Sequence, residues 1–109
     1  MRLGAAPSGR QGFEKEPAES LREMARELEH ELETVTARLS IVAKDASDAE
    51  ASAMGAIRKG DDRAARAALI DQQAFVGVLA ELEADANVLR SLLGEIRKFL
   101  QDLDPAAGR

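Results

Sequence analysis

Apolar residues recur along most of this chain in alternating steps of three and four. The first row is Leu21, Ala25, Leu28, Leu32, Val35, Leu39, Val42, Ala46, Ala49, Ala53 and Ala56. The second is Ala65, Ala68, Phe75, Leu79, Leu82, Ala86, Leu89, Leu93, Ile96, Leu100 and Leu103, with Gln72 as its one polar member. A mean step of 3.5 keeps each row on one stripe of a helix and implies a left-handed supercoil. The pattern predicts an all-α chain: helix 1 over about 18–58, a turn at 59–62, and helix 2 over about 62–103.

The boundaries follow from local chemistry. Pro17 suits the first helical turn, where its missing N–H costs nothing. Glu19 and Glu23 suit the positive end of the helix dipole, and Arg58 and Lys59 the negative end. Gly55 inside the first row costs only about 1 kcal/mol relative to alanine, so it does not end the helix. Gly60 is the expected stop, and Asp61 or Asp62 the expected cap of the next helix. Helix 2 ends before Asp104–Pro105. Residues 1–16, rich in Gly, Ala and Arg, and residues 104–109 read as flexible tails.

A link this short makes the two helices antiparallel. Partners across an antiparallel seam then have numbers that sum to a constant. Setting Ala56 opposite Ala65 fixes that sum at 121. Val42 then meets Leu79, Leu32 meets Leu89, Leu28 meets Leu93 and Leu21 meets Leu100. Beside the seam, Arg38 is expected near Asp85, Glu29 near Arg90 and Met24 over Phe99, while Arg22 falls unfavourably near Arg97. The expected fold is therefore an antiparallel coiled-coil hairpin.

The seam is thin near the turn, where almost every member is alanine. A partial second stripe of Ala74, Val78, Val88, Leu92 and Phe99 runs along helix 2, and Ile41, Met54, Ile57, Leu69, Ile70 and Val76 also lie off the seam. A hairpin with so small a core is expected to associate with itself or with a protein partner. Gln72, the amide within the seam, either fixes register or reaches solvent. The tip residue Arg66, with Gln72, Val88, Leu92 and Phe99, forms the candidate partner-binding set.

Composition narrows the chemistry. The 109 residues hold no Cys, Trp or Tyr, and the net charge is −5. Thiolate chemistry is excluded, and an acidic balance argues against nucleic-acid binding. The longest apolar run, 74–80, is too short to cross a bilayer, and residues 1–12 lack the apolar core of a signal peptide. His30 falls on the outer face of helix 1. Glu19, Glu23, Glu27 and Glu31 line one stripe as a solvated face or a docking strip for a basic partner. Neither arrangement supplies a metal site, and no phosphate-binding loop or nucleophile–base pair is present. No catalytic residue, cofactor or metal is expected.

The segment GDDRAARAALIDQQ, residues 60–73, resembles the start of the second hairpin helix in the phage shock protein A family of the ESCRT-III superfamily. That helix opens with an acidic pair, then Ala-Arg, then Ala-Leu; here Asp62, Ala65, Arg66, Ala68 and Leu69 stand in that arrangement. The similarity continues through Leu82–Glu83 to Arg97–Lys98. Glu16–Pro17 followed by Arg22, Met24, Glu27, Leu28, Glu29, Leu32 and Val35 is similar to the family's first helix, so the resemblance covers about 85 residues. Helix 1 is roughly two heptads shorter than in the family. Residues 1–15, with Leu3 and Phe13 as their only large apolar residues, give no readable interfacial helix, and the family's later helices have no counterpart here.

The resemblance implies a non-enzymatic hairpin that regulates or assembles with a protein partner in membrane stress. The partner is a second copy, a full-length family member, or the AAA+ transcriptional activator that the family restrains. The implied location is the cytoplasm, with peripheral contact at the inner membrane. Two alternatives follow: a membrane-remodelling subunit that joins full-length relatives on lipid, and a structural dimer with no role in stress.

Overall fold

The computed structural model describes residues 17–103, and the two expected tails lie outside them. Two helices account for nearly all of the described chain: α1, Pro17–Lys59, and α2, Asp62–Leu103. They pack on each other as an all-α helical hairpin. Pro17 is the first residue of α1, the position where proline is tolerated best.

The buried residues follow the heptad. All ten buried apolar residues belong to the two expected rows: Ala25, Ala46, Ala53 and Ala56 on α1, and Ala65, Leu82, Ala86, Leu89, Leu93 and Ile96 on α2. The remaining row members are half-buried, apart from Leu103, which is exposed at the end of α2. No charged or polar residue is buried among the described residues.

The chain divides into two compact units. In the first, α1 up to His30 accompanies α2 from Ser91. Leu93 and Ile96 are buried there with Ala25, and Leu21, Leu28 and Leu100 are half-buried. The second unit is Glu31–Arg90 and contains the turn. Its buried members nearest the turn are Ala46, Ala53, Ala56 and Ala65; farther along α2, Leu82, Ala86 and Leu89 take over.

The turn is built from two interlocking caps. Gly60 adopts φ of 73°, a left-handed conformation that costs glycine little. Its N–H donates to the carbonyl of Ile57 at 3.0 Å, and the Asp61 N–H donates to that of Ala56 at 2.9 Å. This pair of bonds is the Schellman motif, which satisfies carbonyls that the helix end would otherwise leave open. Asp61 then caps the start of α2. Its side-chain Oδ1 accepts from the Ala64 N–H at 3.1 Å, and its carbonyl accepts from the Ala65 N–H at 3.0 Å. Asp61 is thus the cap, and Asp62 is an acidic residue in the first turn of α2, where the helix dipole favours it.

Candidate interaction surfaces

Each unit has a polar contact between the helices. In the turn-containing unit, Gln72 Nε2 donates to Glu50 Oε2 at 3.4 Å. Gln72 is half-buried, so its amide reaches out of the seam and bonds at the edge rather than being enclosed. In the other unit, Arg97 donates to Glu29 at 2.9 Å as an ion pair. Both side chains are about half exposed, so the pair adds little stability.

These contacts correct part of the expected edge pairing. Glu29 meets Arg97 and not Arg90, and Arg90 instead donates to Asn87 at 3.2 Å. The reason lies in the direction of side chains on a helix. Each leans toward the N-terminus of its own helix. Residues of α1 therefore lean away from the turn and those of α2 lean toward it. Arg97 lies farther from the turn than Glu29, so the two converge; Arg90 lies nearer the turn, so it and Glu29 diverge. Arg38 and Asp85 form no ion pair.

The candidate residues fall in three places. Gly60, Asp61 and Asp62 form the exposed turn, and Arg66 is exposed just beyond it. Val88 is exposed in the turn-containing unit, where it lines a shallow open groove with Glu31, Val35, Asp85 and Leu89. Leu92 and Phe99 are exposed in the other unit, as is Met24, so Phe99 is not sealed by a methionine cover.

Further large apolar side chains around the turn were legible in the sequence only as residues off the seam. Met54, Ile57, Leu69, Ile70 and Val76 are all exposed, Ile70 to 70%. For all but Ile70, spacing from Glu50 and Gln72 is the signal that groups them. Glu50, Met54 and Ile57 stand at i, i+4 and i+7, and Leu69, Gln72 and Val76 at i, i+3 and i+7, so each set shares a helix face.

Other polar features are local. Lys44 Nζ bonds Asp48 at 2.9 Å one turn away on α1. That hydrogen bond, with the attraction of the carboxylate, raises the Lys44 pKa above the ordinary lysine value. Among the described residues, no three His, Asp or Glu side chains converge as a metal site. No described helix is long and apolar enough to cross a membrane.

Comparison with family models, with curated proteins and with solved structures finds no match.

Proposed function

We propose that this chain is a non-enzymatic protein-interaction module of the phage shock protein A type. In this reading it acts in the cytoplasm, where it regulates or assembles with a protein partner in membrane stress. The observation that carries the reading is how the apolar side chains are distributed. The seam takes up the heptad rows apart from Leu103, yet ten further large apolar residues among those described keep between 43% and 70% of their surface exposed. Scattered single apolar residues are ordinary on a protein surface. Here Leu69 and Val76, and Val88, Leu92 and Phe99, recur at helical spacing along α2, which is how a helix presents itself to other helices.

The resemblance at residues 60–73 and at Glu16–Pro17 supplies the membrane-stress setting and the AAA+ activator as a partner. Mixing the purified chain with the activator that phage shock protein A restrains tests this directly. The expected result is co-elution and a lowered ATPase rate. An unchanged rate with no co-elution overturns the reading. Co-sedimentation with anionic vesicles, alone and together with a full-length relative, tests the membrane-subunit alternative. Pelleting that depends on the relative would favour it.

A further inference from the structure

We infer that residues 1–13 of the chain dock on an acid-rimmed apolar edge at the open end of its own hairpin, the end away from the turn. The contact does not depend on the identity of the partner proposed above.

The edge is defined by its place beside the seam. Glu29 and Arg97 each follow a seam residue by one, and their ion pair shows that such positions of the two arms share one edge. Positions that precede a seam residue by one therefore share the other edge. In the unit away from the turn these include Met24 and Glu27 on α1, and Leu92, Glu95, Phe99 and Asp102 on α2. Met24, Leu92 and Phe99 are each about half exposed, and so is Leu103, four residues after Phe99 at the open end of the seam. Glu27, Glu95 and Asp102 are exposed, and among the described residues none of the three is in an ion pair. No basic residue stands on this edge. Arg22, Arg26 and Arg97 all follow a seam residue and belong to the opposite edge. Farther round, Glu23 and Lys98 border the acidic edge and offset each other.

The occupant must therefore be both apolar and cationic. A second copy offering the same edge would set carboxylates against carboxylates, and an anionic lipid surface would meet the same repulsion. The opposite edge of this unit has arginines but no large apolar side chain. Residues 1–13 carry both kinds of group: Leu3 and Phe13 with Arg2 and Arg10, and no carboxylate before Glu14. Their point of attachment also fits. Pro17, the first residue of α1, is level with Leu103 at the open end, because their numbers sum to 120 against 121 for seam partners. Phe13 is four residues before Pro17 and reaches up to about 13 Å from it. Phe99 is only about 6 Å along α2 from Leu103, and Leu92 about 10 Å beyond Phe99. The ten residues from Phe13 back to Leu3 can span about 33 Å, so Leu3 reaches Leu92 with length to spare. Exposed charge pairs add little by themselves, so Phe13 and Leu3 are the anchors and the arginines select the edge. Leu92 and Phe99 are also candidate partner-binding residues, so a partner that uses them must displace this segment.

The chain has no cysteine, so a nitroxide label attached through Ser8→Cys reports the contact without background. In the full chain at low concentration, the amide signals of Leu92, Glu95 and Phe99 should lose most of their intensity, while those at the turn keep theirs. Leu3→Ser combined with Phe13→Ser should abolish the loss. Arg2→Glu combined with Arg10→Glu should weaken it, and adding Glu27→Lys and Glu95→Lys should restore it, with helical content by circular dichroism unchanged. Full-intensity signals at Leu92 and Phe99 in the labelled chain overturn the inference, as does a loss that survives the serine changes. A mixture of spin-labelled chain with isotope-labelled chain lacking the nitroxide separates the two copies; signal loss in that mixture would reassign the segment to a second copy. Pelleting with anionic vesicles that needs Leu3 and Phe13, with no signal loss at Leu92 in the absence of vesicles, would reassign it to lipid.

Discussion

One heptad pattern runs the length of both helices, but it is built from two materials. Around the turn the buried members are alanines, and beyond Leu82 on α2 they are mainly leucine and isoleucine. The degree of burial does not separate the two regions, because Ala53 and Leu93 are each 2% exposed. What differs is how much apolar surface each position removes from water. A buried methylene contributes roughly 0.8 kcal/mol, so a leucine layer adds several times what an alanine layer does. Near the turn, the backbone does what side chains do elsewhere: the caps at Gly60 and Asp61 hold the arms together where packing is thin. Periodicity thus locates a seam, and residue size decides how much of the stability that seam supplies.

The sharpest way to break this contrast is to shrink a large layer. Leu93→Ala should cost about 2–5 kcal/mol, the range for opening a cavity at a buried leucine; urea unfolding of the variant measures it, and a loss under 1 kcal/mol would show that the leucine region is no better packed than the alanine region. Enlarging a small layer comes next. Ala53→Leu should cost about 1–3 kcal/mol by overpacking, whereas a gain in melting temperature would mean that the alanine end has room to spare. The turn follows. No atom would crowd a Cβ at Gly60, so Gly60→Ala should cost only the conformational term, about 1–2 kcal/mol. Removing the cap with Asp61→Ala should cost about 1 kcal/mol. If both changes are silent, the caps do not hold the thin end. The smallest effect should be Arg97→Ala, below about 1 kcal/mol and weaker still in high salt, because the ion pair with Glu29 is half exposed.

The fold was legible in the sequence because a 3.5-residue period cannot be satisfied by a strand, and because Gly60 and its neighbours carry unmistakable end chemistry. α1 begins one residue before the expected 18 and ends one after the expected 58, differences no larger than the usual fraying of helix ends. Edge contacts were less legible. Seam partners are fixed by phase alone, but Glu29 could reach either of two arginines seven residues apart, and the choice depends on side-chain lean. The apolar flank beside the turn was harder still. Met54, Ile57, Leu69 and Val76 form no continuous run in the sequence, and near the turn it is the Glu50–Gln72 contact that shows residues of the two arms sharing an edge.

The turn holds only Gly60 and Asp61 between two helices of nearly equal length, 43 and 42 residues. The arms are therefore tied in length as well as in phase. Deleting seven residues from one arm would preserve the heptad stripe, yet every layer beyond the cut would meet a new partner, and large residues would face the wrong sizes. Only matched deletions, such as 46–52 together with 69–75, keep each remaining layer with its mate. A hairpin joined this tightly can change length over evolution only by losing or gaining paired heptads, one from each arm.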